Sequence, residues 1–234
     1  MKLKELREEV WKANLQLAEY RLATLTWGNV SGLDSQQAVV AIKPSGIAYA
    51  DLRIEDIVLV DLEGRTIDSQ LQPSSDTPTH LELYRSFPEI RGVCHTHSPY
   101  ATMFAQAGRE IPCLGTTHAD YFFGPVPITR QITPPEVAEN YEKNTGKIIV
   151  EKIKGTEIMA NPGVLVPGHG VFTWGESAQK AVEVALVVEE IARMALGTLL
   201  LKPDQPPLAP ELLTKHYRRR HGKDAYYGQK KRRF

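Results

Sequence analysis

Three histidines have the residue type and the spacing of a catalytic metal site. His95 and His97 stand two residues apart at the end of the apolar run 91–97 (RGVCHTH). Because alternate residues of a strand share one face, both imidazoles can point the same way and form half of a zinc site. His169, in a glycine-rich bend, is the candidate third ligand. Three imidazoles with one open position are typical of catalytic zinc, although spacing alone also allows a polar strand end without metal.

Two short turns have the composition of an anion site. The segments KPSG (43–46) and PSS (73–75) combine small residues, hydroxyl groups and a lysine. Such turns expose backbone N–H groups and hydroxyls, which together with a nearby Lys can hold a phosphate. Each segment is also an ordinary structural turn, and composition by itself favours that plainer interpretation.

The elements that must position these residues follow from the hydrophobic pattern. Helical spacing or helix-favouring composition predicts helices at 3–23, 80–87, 100–107, 176–201 and 210–221. Short β-branched or apolar runs predict strands at 38–43, 57–62 and 91–97, and a pair within 163–175. Residues 111–133 indicate loops and short strands, while 134–154 is ambiguous, with helical character at Glu136–Tyr141. No strict βαβ rhythm is present, so we expect one α/β domain with a mixed, largely antiparallel sheet covered by helices.

Composition excludes several classes of function. The 234 residues contain 28 basic and 28 acidic side chains, so no global field attracts nucleic acid or an anionic membrane. The basic run 218–220 and the basic tail 230–233 lack an aromatic-basic motif, which argues further against nucleic-acid binding. The most apolar stretch, 181–201, carries four charged residues and predicts a buried helix, not a membrane span. Two cysteines and the absence of a signal-peptide pattern favour the cytoplasm.

Several segments together resemble the L-ribulose-5-phosphate 4-epimerases of the class II aldolase superfamily. The matching segments are TLTWGNVSG (24–32), IKPSGI (42–47), PSSDTPTH (73–80), HTHSPYAT (95–102), GTTHADYFFG (115–124), PGVLVPGHGVFTWG (162–175) and KHYRRRHGKDAYYGQ (215–229). WGN, KPSG, HTH and GHG are shared with the aldolases of the superfamily, whereas PSSDTPTH, TTHADYF and AYYGQ are more specific to the epimerases. The resemblance implies a single three-layer αβα domain over residues 1–234.

The resemblance also implies roles for individual residues. It matches His95, His97 and His169 to zinc ligands, with Asp76 close to the metal and sometimes counted as a ligand. It matches Asp120 and Tyr227 to the pair that transfers protons on opposite faces of the substrate. The positions matched to binding of the sugar phosphate are Gly28, Asn29, Lys43, Ser45, Gly46, Ser74, Ser75, Thr116, His216 and Arg219.

The implied assembly is a homotetramer with active sites at subunit interfaces, where the C-terminal helix and tail (about 208–234) reach the neighbouring subunit. One Zn²⁺ per subunit is expected, although a three-histidine site accepts other divalent ions. The alternatives are an L-fuculose- or L-rhamnulose-phosphate aldolase and a non-catalytic, adducin-like binding module. The aldolases usually carry Glu where this chain has Asp76, which favours the epimerase. The sequence does not distinguish L-arabinose catabolism from L-ascorbate or related routes.

Overall fold

One antiparallel sheet forms the centre of the molecule. The computed structural model describes residues 3–222 and 225–227. Its six strands are β1 (Asn29–Asp34), β2 (Val39–Ile42), β3 (Val58–Asp61), β4 (Gly92–Thr96), β5 (Gly163–Val166) and β6 (Gly170–Gly175). They lie in the order β3-β2-β1-β4-β6-β5, and each neighbouring pair is antiparallel. An isolated parallel bridge joins Ile128 to Leu165. The predicted α/β class with a largely antiparallel sheet is confirmed.

Helices cover both faces of this sheet. They are α1 (Leu3–Glu19), α2 (Thr77–Ser86), α3 (Pro99–Gln106), α4 (Thr116–Ala119), α5 (Pro134–Ala138), α6 (Tyr141–Ile153), α7 (Ala178–Leu201) and α8 (Pro210–Arg220). Alternate residues of β2 separate the two layers: Val40 and Ile42 pack with α2 and α6, whereas Val39 and Ala41 pack with α1 and α7. Because strand side chains alternate between faces, apolar side chains pack on both faces of one sheet and three layers result.

The sequence prediction missed β1, although this strand lies inside the sheet. Its residues, NVSGLD, are all buried, and it pairs with β2 on one side and β4 on the other. Asn, Ser, Gly and Asp are not typical of strands, so local composition gave no signal. Long-range pairing on both edges, not intrinsic preference, places this segment in the sheet.

The ambiguous region 134–154 forms two helices. The helical character expected at Glu136–Tyr141 is present in part: α5 ends at Ala138, and Asn140 adopts a left-handed φ of 57° before α6 begins at Tyr141. Residues 147–153 belong to α6. The loops and short strands expected over 111–133 also include the short helix α4.

The C-terminal helix predicted at 210–221 is present as α8, Pro210–Arg220. Gln229 of the AYYGQ segment and the basic tail 230–233 lie outside the described residues. Among the helices of the described part of the chain, none has both the length and the apolar composition that a bilayer crossing requires.

Candidate active site

The three predicted metal ligands converge at the end of β4. His95 is paired with Phe172 of β6 within the sheet, and His97 follows the last residue of β4. His169 lies in the turn between β5 and β6, directly before Gly170. Because β4 and β6 are antiparallel neighbours, the turn before β6 stands beside the end of β4. A Cβ atom added at Gly170 would lie 2.5 Å from the Thr96 carbonyl oxygen, so this close approach requires glycine.

The distances between the imidazoles fit one metal ion. The potential ligand atoms of His95, His97 and His169 all lie within 4.8 Å of one another. The Nε2 atoms of His95 and His97 are 2.9 Å apart. Nitrogen ligands about 2.0–2.1 Å from one zinc ion are separated by about 3.3 Å in tetrahedral geometry, so small side-chain adjustments suffice.

A backbone carbonyl fixes the orientation of the most buried imidazole. His95 Nδ1 lies 3.0 Å from the Val171 carbonyl oxygen. A carbonyl only accepts hydrogen bonds, so Nδ1 must carry the hydrogen and Nε2 presents its lone pair to the shared space in the neutral ring. Metal-bound histidines in proteins typically donate their second N–H in this way.

Burial keeps the three imidazoles neutral. It lowers the pKa of His95 to about 3, with further lowering from His169 and His97 and an opposing effect of Asp76. Burial also lowers the pKa values of His97 and His169. Neutral imidazoles are the form that binds metal, so the donor set is ready near neutral pH. The three imidazoles therefore form a site that fits a divalent metal.

Asp76 lies beside this site as a carboxylate. Burial raises its pKa, but the neighbouring imidazoles of His95 and His80 and the Asn29 amide lower it by more, and the net shift is downward. Asn29 Nδ2 donates to Asp76 Oδ2 at 2.7 Å. The carboxylate is held next to the imidazoles, and its role as a fourth ligand stays a prediction.

The metal site opens into a cavity of about 340 Å³ that also contains the predicted anion-binding turns. Of the predicted residues, the cavity is lined by Gly28, Asn29, Lys43, Ser45, Gly46, Ser74, Ser75, Asp76, His95, His97 and His169. Eleven positions from five separate segments thus meet around one space, large enough for a small sugar phosphate.

The two turns are joined to each other by their backbones. Ser74 N–H donates to the Lys43 carbonyl at 2.9 Å, and Ser45 N–H donates to the Gln72 carbonyl at 3.0 Å. The sequence led us to expect these N–H groups to be free for an anion, and for Ser45 and Ser74 that expectation is wrong. The serine hydroxyls and the Lys43 ammonium are the groups that these residues can offer to a phosphate.

The remaining predicted residues form a second cluster between α4 and α8. Arg219 Nη2 lies 2.6 Å from Asp120 Oδ2, and His216 Nδ1 lies 3.0 Å from Asp120 Oδ1. Thr116 accepts the backbone hydrogen bond of Asp120, and Arg219 Cζ lies 4.7 Å from the centre of the Tyr227 ring. As far as the described residues show, these five positions do not line the metal cavity of their own chain. Their roles in catalysis and substrate binding stay predictions.

Sequence reasoning missed several residues of the cavity, namely Thr26, Trp27, Pro44, Tyr141 and Glu142. Thr26 and Trp27 belong to the TLTWGNVSG segment, which was therefore a usable signal. Tyr141 and Glu142 begin α6 and belong to no motif. The Tyr141 hydroxyl lies 3.3 Å from His169 Nδ1, which makes it a partner for a metal ligand.

Comparison with known proteins is consistent with this geometry. Residues 8–196 match the family described as Class II Aldolase and Adducin N-terminal domain. The chain is 49% identical over 228 residues to the L-ribulose-5-phosphate 4-epimerase UlaF of Salmonella paratyphi A, which covers 97% of this chain and 100% of the relative. The same values hold for UlaF of Salmonella typhi.

Solved structures share the fold at lower identity. An L-fuculose 1-phosphate aldolase superposes with a TM-score of 0.77 and 22% identity, covering 92% of this chain and 95% of that chain. The L-fuculose-1-phosphate aldolase of Thermus thermophilus gives a TM-score of 0.66 and 23% identity, over 87% and 98% of the two chains. At these identities the likeness concerns the fold alone.

Proposed function

The chain belongs to the class II aldolase and adducin family, and we propose that it is an L-ribulose-5-phosphate 4-epimerase, interconverting L-ribulose 5-phosphate and D-xylulose 5-phosphate. The UlaF relatives, 49% identical over nearly the whole chain, carry that name. The observation that carries the proposal is the joint position of three neutral imidazoles and the Lys43 ammonium around one cavity.

The chemistry explains why a metal and an anion site are needed together. C4 of a 2-ketose phosphate is too far from the carbonyl for its C–H proton to be acidic, so deprotonation there cannot invert the centre. Cleavage of the C3–C4 bond can: the electron pair goes to C3, the 4-hydroxyl loses its proton, and glycolaldehyde phosphate is released within the site. Rotation of the aldehyde, re-addition of C3 to its other face and return of a proton to O4 give the epimer.

The residues of this chain hold the two fragments during that exchange. His95, His97 and His169 would hold the metal, which when bound supplies Lewis-acid stabilisation for the negative charge on the three-carbon fragment. Lys43 and the serine hydroxyls of the two turns are positioned to retain the phosphate while the aldehyde carbon turns. Because the phosphate group stays bound, glycolaldehyde phosphate does not leave the site. An epimerase differs from an aldolase in this retention of the aldehyde fragment.

We propose zinc as the ion, one per subunit, because three imidazole nitrogens with an open position are the ligand set of catalytic zinc. Metal analysis of the purified protein tests this: we expect about one zinc per chain, lost on His95→Ala substitution and retained in His118→Asn. His118 is a buried histidine outside the cavity and serves as the control. If another divalent ion is bound at the same stoichiometry, the proposal of zinc is wrong but the proposal of a metal site at these histidines stands.

We further propose that proton transfer uses Asp120 and Tyr227 in a homotetramer, with Tyr227 supplied by the neighbouring subunit. Neither residue lines the metal cavity of its own chain, which supports a site completed by assembly. The proposed compartment is the cytoplasm, in keeping with free thiols at Cys94 and Cys113.

Product analysis tests the proposed reaction directly. Purified enzyme with L-ribulose 5-phosphate should give D-xylulose 5-phosphate, with the two ketoses reaching the same ratio from either side. Net release of glycolaldehyde phosphate and dihydroxyacetone would instead identify an aldolase. If the metal-loaded protein does not turn over this substrate, both the epimerase and the aldolase assignments are wrong. The remaining alternative is then the non-catalytic binding module.

A further inference from the structure

Tyr49 contacts two separate parts of the active site without lining the cavity. Its side chain is buried, with 6% of the residue exposed. The hydroxyl oxygen lies 2.8 Å from the Trp27 carbonyl oxygen and 2.8 Å from the Gly28 carbonyl oxygen. One hydroxyl hydrogen is shared between the two acceptors. The centre of its ring lies 5.0 Å from the Lys43 ammonium nitrogen. The same side chain therefore contacts the Trp27–Gly28 turn and the phosphate-binding lysine.

The Trp27–Gly28 turn needs such a partner. Gly28 has a φ of +76°, and a Cβ atom there would lie 2.8 Å from the His95 carbonyl oxygen. The next residue, Asn29, pairs with His95 across β1 and β4 and donates to Asp76. A shift of the turn would therefore move the polar groups closest to the metal ligands.

Lys43 is held in an unusual way for a buried cation. Only 2% of the residue is exposed, and its ammonium donates to the Pro44 carbonyl at 3.3 Å. Over residues 3–222 and 225–227, no carboxylate lies within ion-pair distance of it. Burial lowers the pKa of Lys43. An aromatic face stabilises an ammonium without neutralising it, whereas a carboxylate would compete with an incoming phosphate.

We propose that Tyr49 is a positioning residue that sets the phosphate affinity of the site. Its ring holds Lys43, for which the described residues provide no carboxylate partner, and its hydroxyl fixes the Gly28 turn. The inference rests on the proposed function in taking the bound anion to be the substrate phosphate. Tyr49 acts through Lys43 and Gly28 and does not touch the substrate. It belongs to the apolar core on the α1 side of the sheet, behind the cavity.

Two substitutions separate the ring from the hydroxyl. Tyr49→Phe keeps the ring over Lys43 and leaves the two carbonyls unpaired, and we expect the Kd for inorganic phosphate to rise about fivefold. Tyr49→Leu removes both contacts, and we expect a rise of about thirtyfold. Calorimetric titration of the metal-loaded protein with inorganic phosphate measures both, with Lys43→Met as the reference for loss of the ammonium. Metal content should stay at the wild-type value.

A matched control distinguishes positioning from general destabilisation. Tyr84→Phe removes another buried tyrosine hydroxyl, on the opposite face of the sheet, where it contacts Ser31. We expect it to lower the unfolding midpoint and leave the Kd for phosphate within about twofold. In turnover, the Tyr49 variants should raise KM for the sugar phosphate more than they lower kcat, because Lys43 contacts the unreacting phosphate.

An unchanged Kd for phosphate in Tyr49→Leu would overturn the inference. Equal changes of that Kd in Tyr49→Phe and Tyr84→Phe would also overturn it, as would a wild-type protein that does not bind phosphate. Failure of the proposed function is a separate result. If the wild-type protein does not epimerise L-ribulose 5-phosphate but the Tyr49 variants lose phosphate affinity in the expected order, the positioning role stands and the substrate assignment does not.

Discussion

At the scale of single residues, the metal site depends on backbone groups as much as on imidazoles. The Val171 carbonyl fixes His95, and the His95 carbonyl in turn lies against Gly28. Glycine is required at position 28 for two reasons, its left-handed φ of +76° and the missing space for a Cβ atom. Gly46 has a similar φ of +72°, but nothing lies within 4 Å of the position that a Cβ atom would occupy.

The difference between Gly28 and Gly46 predicts different losses of stability on substitution by alanine. Gly28→Ala should destabilise the protein by about 2–4 kcal/mol, because left-handed strain adds to a clash with the His95 carbonyl. Gly46→Ala should cost only about 1 kcal/mol, from strain alone. Urea unfolding of the metal-free proteins measures both. Equal costs would show that the contact with His95 is relieved without penalty, against the geometry described.

At the scale of elements, α7 holds the start of α3 and thereby the residues that follow the metal ligands. Glu189 of α7 is 8% exposed, and its carboxylate accepts hydrogen bonds from the Tyr100 and Ala101 N–H groups at 3.0 and 2.9 Å. These are among the unpaired N–H groups that begin a helix. Because α3 starts at Pro99, two residues after His97, the contact also fixes the exit of β4.

Glu189→Gln should therefore lower the free energy of unfolding by about 1–2 kcal/mol, since an amide can accept only one of the two hydrogen bonds and carries no charge. The adjacent Glu190 provides the control, because its carboxylate pairs with Arg193 at the surface. Glu190→Gln should cost less than about 0.5 kcal/mol. Chemical denaturation measures both, and similar values for the two variants would contradict a capping role for Glu189.

The contact between α4 and α8 predicts a pH dependence. Burial raises the pKa of Asp120, but hydrogen bonds from Arg219 and His216 lower it by more, so the net shift is downward. A folded-state pKa below the unfolded value stabilises the protein above the unfolded pKa, about 3.9 for Asp, and this contribution disappears as the pH falls through the folded-state value.

Arg219→Met should be less stable than the wild type near neutral pH, and the difference should shrink as the pH falls below about 4. Urea unfolding at pH 7, 5 and 3.5 gives the comparison. Arg218→Met, at the exposed neighbouring position, should show no such convergence with pH. A difference for Arg219→Met that persists unchanged at pH 3.5 would show that the ion pair with Asp120 does not stabilise the fold.

At the scale of the whole molecule, the separation of the two clusters has a consequence for assembly. The metal cavity and the Asp120–Arg219–Tyr227 cluster are distinct in one chain, while the proposed reaction needs a proton donor and acceptor at the substrate. If Asp120 of one subunit and Tyr227 of the next complete a site, inactive variants should complement each other.

Asp120→Asn and Tyr227→Phe chains, each inactive, should regain activity when unfolded together and refolded. In a random equal mixture about a quarter of the sites combine both native residues, so about a quarter of wild-type activity is expected. Each variant refolded alone provides the baseline. Mixtures without activity, formed from variants that fold and bind metal, would contradict a shared site.

The features that depend on local pattern could be predicted from the amino-acid sequence. Alternation at the end of a strand placed His95 and His97 on one side, and β-branched runs and helical spacing located β2, β3 and α7. The small turns 43–46 and 73–75 were recognisable from composition as possible anion sites. These features could be predicted because the backbone periodicity of strands and helices acts over a few residues.

Which distant groups meet depends on the packing of the folded chain. β1 has no strand-like composition and exists because β2 and β4 pair with it. The hydrogen bond that orients His95, the position of Tyr141 beside His169 and the contacts of Tyr49 each join segments 6 to 76 residues apart. Such contacts arise when the sheet and its two helical layers pack together, so no local pattern records them. The imidazoles come from sequence, and their common orientation comes from the fold.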